Sequence, residues 1–430
     1  MIKQNLVEQH IIKKSDPQWG IIDEASFEAK NLYNKALYEM RQQFFATRKN
    51  LLGLTKKFFK LSDQLHWSVL CNDAKSWAEF KALPAKVSQL IVKKAFDNIK
   101  AFIQANNAYH KNGDGFTGQP KLPRYKHKET GRFPLYYNAQ AISRKELRCG
   151  FIVPSRLGIQ IKTKQYDKKI VEVRVIPKVL GHYVIEIVYE IEHEEFNENL
   201  DYSLIAGIDL GVGNLAVVTS NKNGLKPFIV NGKAIKSVNQ WFNKQVAKLK
   251  AGLAKWCKKH HLPEKRSSRK IQQMTHKRNL RIKHMMHVAS RRIVDILLEE
   301  QIGTIVIGNN QGWKQQANLG KRNNQNFVSI PYANLINMIT YKAKMLGIQV
   351  FVVEESYTSN CSFFDGEFPQ KQTEYAGERI SRGLFRTSDG IVVNADINAS
   401  YNIIQKAFWE DQPFQSNEMA LVFPDIIQPF

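Results

Sequence analysis

Leu204-Ile-Ala-Gly-Ile-Asp-Leu-Gly-Val-Gly-Asn-Leu-Ala-Val-Val-Thr219 is the stretch on which the fold turns. Two aliphatic runs flank Gly211-Val-Gly213, so the segment reads as two strands joined by a tight turn. Asp209 lies within the first run among apolar neighbours, where an unpaired charge is costly unless a cation neutralises it. Gly211 leaves room beside it for a close approach.

Outward from this pair, a third short strand is expected near 228–230, and strand signals return at 304–307 and 349–353. A helix over 330–346 separates the last two and begins with Pro331 in its first turn, and a final helix runs from about 397 to 408. Between the third and fourth strands, residues 234–300 carry Val238, Phe242, Val246 and Leu249 amid repeated Lys and Arg, and break at His260-His-Leu-Pro263. They read as a basic helical hairpin. Three strands, helix, strand, helix, strand, helix is the order of the RNase H fold, a mixed sheet with helices on its faces.

Toward the N-terminus the pattern changes twice. Residues 16–110 are helical, with Val87, Leu90, Ile91, Ala95, Ile99 and Phe102 on one face after Pro84, and they end in the turn-rich segment 112–120. Residues 121–200 alternate in short bursts, as at 171–176 and 183–188, and predict a small β-barrel or sheet. Its entrance, Pro-Lys-Leu-Pro-Arg-Tyr-Lys-His-Lys128, sets Arg124 and Lys126 around Tyr125, a composition suited to phosphate contact with a base or sugar stacked alongside, and equally to a solvated loop.

Composition narrows the partner. The 430 residues hold 63 Lys and Arg against 39 Asp and Glu, a formal charge of +24, which favours a polyanion such as nucleic acid. Apolar runs are too short to span a bilayer and the first residues lack a signal-peptide core, so a cytoplasmic protein with no membrane partner is expected. Four scattered cysteines, Cys71, Cys149, Cys257 and Cys361, argue against a disulfide framework or an all-cysteine zinc site. His260, His261, His284 and His287 have no supporting ligands and read as parts of charged helix faces.

A phosphodiester hydrolase on such a sheet needs carboxylates converging at adjacent strand ends, because the cations that serve it prefer oxygen ligands. Asp209 is the first candidate. Asp396, in Asn394-Ala-Asp-Ile-Asn-Ala-Ser-Tyr-Asn402, is the second; alone it reads as an N-terminal helix cap, and paired with a strand aspartate it reads as a metal ligand. Gly-Ile-Asp-Leu-Gly by itself also suits actin-like sugar kinases and ATPases, but a basic hairpin follows it here instead of further glycine-rich phosphate loops.

The order GIDLGVGNLAVV, IVIGNNQGWKQ, EESYTSNCSF, RGLFRTSDG, NADINASYNII resembles the transposon-encoded TnpB family, relatives of compact type V CRISPR effectors and of Fanzor nucleases. The resemblance implies an α+β multidomain chain. Its parts would be a wedge-like β-barrel domain (1–15 and 111–200) with a helical recognition domain (16–110) inserted in it, and a RuvC, RNase H-like nuclease domain (201–356 and 387–410) with the hairpin 234–300. A target-nucleic-acid-binding insertion with a degenerate zinc finger (357–386) and a flexible tail (411–430) would complete it.

Position by position, Asp209 resembles the first RuvC carboxylate and Asp396 the third, while the usual second, a glutamate, is Gly308 here. A branch of the family carries that carboxylate at the end of the next strand, where this chain has Glu354 and Glu355; the resemblance selects Glu355, and strand alternation leaves open which of the two faces inward. Cys361 has Phe364 where a cysteine partner would stand, so no zinc is expected, with Phe363, Phe364, Phe368, Leu384 and Phe385 as a small apolar core instead.

The resemblance further implies guide RNA from the transposon end, target double-stranded DNA beside a short flanking motif, two Mg²⁺ ions at the carboxylates, water as nucleophile, and a monomeric ribonucleoprotein on the nucleoid. Nucleic-acid contact is expected at Arg124, Tyr125, Lys126, Lys265, Arg266, Arg269, Lys277, Arg278, Arg382 and Arg386, with Arg379 near the cut. A nuclease-inactive relative that uses the same guide to repress transcription is the alternative, kept open by Gly308.

Overall fold

A computed structural model describes residues 1–49, 67–310, 329–381, 383–414 and 424–428. The chain forms two compact units, Lys3–Glu192 and His193–Phe430, the latter with Met1–Ile2.

The first unit runs β1 (Ile2–Ile12), α1 (Trp19–Lys49), α2 (Trp67–Ala74), α3 (Ala78–Lys81), α4 (Ala85–Lys111), β2 (Leu135–Asn138), α5 (Arg144–Arg148), β3 (Phe151–Ile152), β4 (Ile161–Lys162), β5 (Lys169–Pro177) and β6 (Tyr183–His193). Its main sheet has the order β1-β6-β5-β2, and β3-β4 form a separate ribbon. The expected barrel is therefore an open sheet. Val173 and Val175 of β5, Ile185 and Ile187 of β6, and Leu135 and Tyr137 of β2 alternate into the interior and meet Leu32, Ala36, Leu37, Val87, Ile91 and Ala95 from α1 and α4. Helices and sheet thus share one core, which corrects the expectation of separate domains over 16–110 and 111–200.

The basic entrance segment follows α1. Lys30, Asn34 and Arg41, one helix face at i, i+4 and i+11, donate to the carbonyls of Lys128, Lys126 and Pro123 at 2.6, 2.9 and 2.9 Å. Bound by its backbone, this strap leaves the side chains of Arg124, Tyr125 and Lys126 exposed, with the Arg41 guanidinium 5.0 Å from the Tyr125 ring centroid.

The second unit contains β7 (Asp201–Asp209), β8 (Asn214–Ser220), β9 (Phe228–Asn231), α6 (Lys233–Lys259), α7 (Arg269–Glu299), β10 (Ile302–Gly308), α8 (Tyr332–Lys344), β11 (Gln349–Val353), β12 (Glu378–Ser381), β13 (Leu384–Arg386), β14 (Val392–Asn394), α9 (Ala395–Ala407) and β15 (Asp425–Ile427). Its sheet has the order β11-β10-β7-β8-β9-β15. The first three strands run as an antiparallel meander; β10 is parallel to β7, and β11 to β10. Pro331 precedes α8 as its N-cap instead of lying in its first turn.

Alternation sorts the two faces. Ala206, Ile208, Ile305 and Ile307 face a core shared with Met286, Ile293 and Leu297 of α7 and Leu335 and Ile339 of α8. Ile205, Val217 and Val306 face Ile397, Tyr401, Ile403 and Ile404 of α9. Gly207 belongs to this second face: a Cβ there would fall 2.7 Å from Ile404 Cγ1 and onto the Ser400 carbonyl oxygen, so glycine sets how closely α9 seats on the sheet.

The tail departs from expectation. Residues 425–427 add β15 to the sheet, parallel to β9, and the Phe414 ring lies 4.7 Å from Phe363 and 5.7 Å from Tyr401 between centroids. Among the described residues of this acidic, proline-interrupted segment, the Phe414 ring and the strand 425–427 make these contacts. Phe414→Ala is expected to destabilise this unit by about 2 kcal/mol, given partial burial of a ring, read as a lowered denaturation midpoint; an unchanged midpoint would restore the flexible-tail reading.

Lys342 of α8 is buried, donating to the His287 carbonyl and Ser290 Oγ of α7, each at 2.7 Å. Burial, reinforced by Arg291 and opposed by Asp295, lowers its pKa to about 8 from 10.5. The unfolded lysine keeps its proton to higher pH, so between these values the wild type gains stability as pH rises. Lys342→Met is expected to be more stable at pH 7 by about 1–3 kcal/mol, with the gap closing toward pH 10 in paired denaturant titrations.

Candidate active site

The register of three parallel strands brings their C-terminal ends into one row. Ile208 of β7 lies beside Ile307 of β10, so Asp209 and Gly308 come next on their strands; Gly308 in turn pairs with Val353 of β11. Asp209 has the parity of Ile205 and Gly207, so it projects to the α9 side of the sheet. Gly308 has the parity of Val306 and does the same, and a Cβ on it would stand 2.6 Å from Ile403 Cδ1 of α9.

Alternation carried past the end of β11 gives Glu355 the same face as Val353. Its Oε2 lies 2.7 Å from the point where a Gly308 Cβ would be. Glu354 turns outward: it is exposed, accepts from Ser356 Oγ at 2.7 Å and lies 3.6 Å from Lys406 Nζ. Of the two neighbouring acids, Glu355 is the one beside Asp209.

Asp396 sits in the first turn of α9, but it is not the cap. Asn394 fills that role, its side chain accepting from the Asp396 and Ile397 amides at 2.9 and 3.2 Å. The Asp396 carboxylate is thereby free for other partners, accepting from Asn214 Nδ2 at 2.8 Å and standing 3.6 Å from the Arg379 guanidinium.

Electrostatics tie the carboxylates together. Desolvation, then Glu355, then Asp396 push the Asp209 carboxyl well above the ordinary carboxylate range, with Arg379 pulling the other way. Burial and the adjacent Glu354 push Glu355 up to about 7, opposed by Lys406. Tyr332, at the start of α8, is raised by burial and then by the charges of Asp209 and Glu355, which puts its phenol within reach of their field.

Whether these groups fit a divalent cation turns on their chemistry. All three donors are carboxylate oxygens, the ligand type a hard cation takes, and Glu355 Oε2 is buried with no hydrogen-bond partner among the described residues. As they stand, no three His, Cys, Asp or Glu side chains among the described residues are close enough to share one ion; Asp396 is engaged by Asn214 and Arg379 instead. The donor chemistry thus suits a divalent cation, with Asp209 and Glu355 at strand ends of the sheet and Asp396 at the start of α9.

Sequence reasoning missed the residues that hold this arrangement. Within 394–402, Asn398 and Asn402 stand one turn apart and clamp the 358–363 loop: Asn398 donates to the Cys361 carbonyl and accepts from the Phe363 amide, while Asn402 donates to the Thr358 and Cys361 carbonyls. Ser400, on another face, donates to the Gly207 and Val217 carbonyls at 3.0 and 3.2 Å. The alternating polar residues of this motif were its signal: so many buried amides on one helix require specific partners.

The remaining expected residues divide. Cys361 is buried, its thiol donating to the Gln370 carbonyl, and Phe364 packs on Phe385, Val393 and Ala395. Leu384 is exposed and Phe368 packs on Trp409, so these two do not join that core. Arg278 is half-buried and donates to Asn239, Asn279 and the Ser329 carbonyl, a structural commitment in place of the expected free contact. Arg386 lies 3.0 Å from Glu378, and Arg379 is drawn to Asp396. Arg266, Arg269 and Lys277 are exposed, as is Lys265, whose ammonium lies 5.4 Å from the Trp256 ring centroid. Arg382 lies outside the described residues.

Residues 186–314 match the family model OrfB_IS605, described as a probable transposase, and residues 332–403 match the Cas12f1-like TNB domain. A TnpB-like protein, ORF457 of Acidianus two-tailed virus, is 26% identical over 47% of this chain and 42% of its own length. These matches support a TnpB-family assignment for the chain. The chain is also similar to the CRISPR-associated endodeoxyribonucleases Cas12f1 of Sulfoacidibacillus thermotolerans and Cas12f2 of Micrarchaeota archaeon (strain CG1_02_47_40). The first is 30% identical over 51% of this chain and 49% of its own length; the second is 25% identical over 52% and 40%. The chain thus spans about half the length of these curated relatives or less. A solved Cas12f1-sgRNA-target DNA complex aligns with 91% of this chain and 83% of its own at 16% identity, TM-score 0.48. The two family segments contain Asp209 on one side and Glu355 and Asp396 on the other.

Proposed function

We propose that the chain is an RNA-guided DNA endonuclease whose phosphodiester hydrolysis depends on a divalent cation, Mg²⁺ in the cell, held by Asp209, Glu355 and Asp396. One observation carries this reading: Glu355 lies against Gly308, beside the Asp209 strand end, so a carboxylate is available where the strand itself offers none. Relatives named as endodeoxyribonucleases and a net charge of +24 support nucleic acid as the substrate.

A cation bound there would supply Lewis acidity, stabilising charge that develops on the phosphate and leaving oxygen. The chain's own residues do the rest. Asn214 orients Asp396, and Asn398, Asn402 and Ser400 fix α9 and the 358–363 loop against the sheet, so that Asp209 and Glu355 meet a rigid helix. Base pairing with a guide RNA would choose the sequence, while exposed cations such as Arg124, Lys126, Lys265, Arg266, Arg269 and Lys277 would contact phosphates without reading bases. Tyr125, bound in place by the strap, offers a ring for stacking.

The test is purification with RNA expressed from the protein's own locus, followed by incubation with plasmids that do or do not match the guide. Linearisation of the matched plasmid alone, in Mg²⁺ and not in EDTA, is expected. Guided binding without cutting would identify a repressor; nucleotide binding with no bound RNA would point to neither.

A further inference from the structure

We propose that Asn310 is a positioning residue for Glu355, and that Gly308, Asn310 and Glu355 form a matched set in which one strand's carboxylate fills a place opened in its neighbour. This rests on the nuclease reading and extends it to how the site is assembled.

Gly308 sets the steric constraint. A Cβ there would stand 2.7 Å from Glu355 Oε2, so that the carboxylate would have to shift, and 3.2 Å from Glu355 Cβ, which would have to give by a few tenths of an ångström. Any side chain at 308 would have to begin where the Glu355 carboxylate now lies. Ile403 Cδ1, 2.6 Å from the same point, would have to shift as well. A glutamate at 308 would therefore displace the Glu355 carboxylate from its present position.

The polar constraint lies at Asn310. Glu355 is carried two residues beyond the last paired residue of β11, so the ladder does not fix its carboxylate. Pairing does extend one step past β10, through the Asn309 amide to the Val353 carbonyl at 2.9 Å, and this steadies the backbone leading to Asn310. Asn310 Nδ2 then donates to Glu355 Oε1 at 3.3 Å, and among the described residues it is the donor to that carboxylate. A carboxylate only accepts, which fixes the amide nitrogen on that side and turns Oδ1 away; Oδ1 is buried with no partner among the described residues.

The residue type matters. A lysine or arginine would neutralise Glu355 and compete with a cation, and an aspartate would repel it. A neutral donor orients one oxygen and leaves Oε2 free. Outer hydrogen bonds of this kind typically change metal affinity by about 10–100-fold when removed.

The experiment titrates Mn²⁺ into the full-length ribonucleoprotein and follows the bound ion by electron paramagnetic resonance, with Asp209→Asn as the blank for ions held by RNA. Asn310→Ala is expected to weaken the Asp209-dependent signal by about tenfold or more. Asn310→Asp, which keeps the shape and loses the donor, should weaken it at least as much, whereas a purely structural role would tolerate it. Gly308→Glu should abolish the signal in the wild-type background and restore part of it in Glu355→Ala. Mn²⁺ affinity unchanged in both Asn310 variants, or Gly308→Glu tolerated beside Glu355, would overturn the proposal while leaving the nuclease reading intact. A wild type with no Asp209-dependent ion would overturn both.

Discussion

Asp209→Asn is expected to lower guided DNA cleavage by at least about a thousandfold, roughly 4 kcal/mol of transition-state stabilisation, while RNA and target binding stay within about threefold. The carboxyl stands at the end of a central strand, with Glu355 and Asp396 close enough to raise its pKa. Burial and these neighbours disfavour its charged form unless a cation or a proton neutralises it. The asparagine keeps the volume and removes the charge, so folding should hold and the denaturation midpoint should not fall. Asp396→Asn should follow the same pattern. Its effect separates from helix capping, because the cap is Asn394 and remains. Cleavage in single turnover, with binding measured separately on the same preparations, checks both; activity retained in Asp209→Asn would remove the carboxylate site from the account.

Gly207→Val is expected to have the largest effect on folding, a loss of about 3 kcal/mol or more. The methyl groups would run into Ile404 and the Ser400 carbonyl oxygen. They would push α9 from the sheet, break the Ser400 bonds to the Gly207 and Val217 carbonyls, and carry Asp396 with the helix. Activity should fall together with stability, unlike in Asp209→Asn. Denaturant unfolding of the purified protein gives the stability change, and a midpoint unchanged from wild type would mean that α9 seats less closely than the geometry requires.

The mixed sheet of the second unit was legible because its strands are short, aliphatic and separated by glycine turns, and because Asp209 contradicts its apolar surroundings. Asp396 was legible as an acid at a helix start, although Asn394, two residues earlier, is the cap. The resemblance selected Glu355, but alternation alone did not separate it from Glu354: it says that two neighbours face opposite ways, and the pairing of Gly308 with Val353 says which way. Gly308 read as a missing ligand, and its positive role, space for Glu355, depends on a contact between strands that no local pattern reveals. The same holds for Arg278, whose charge suggested nucleic acid and whose three bonds are to Asn239, Asn279 and the Ser329 carbonyl. The shared core of the first unit was hidden because the helices and the strands each read as complete amphipathic sets; which apolar face meets which is a matter of tertiary packing. The described part of the tail departs from expectation because composition averages over residues, and the Phe414 ring and the 425–427 strand disappear in that average.

The most direct test compares Glu355→Ala with Glu354→Ala in single-turnover cleavage of a matched duplex by the ribonucleoprotein in Mg²⁺. The account predicts that cleavage in Glu355→Ala falls at least about a thousandfold, as for loss of a metal ligand, and that Glu354→Ala cuts within about threefold of wild type, as an exposed side chain should. Equal loss in both variants, or cleavage kept in Glu355→Ala, would contradict it.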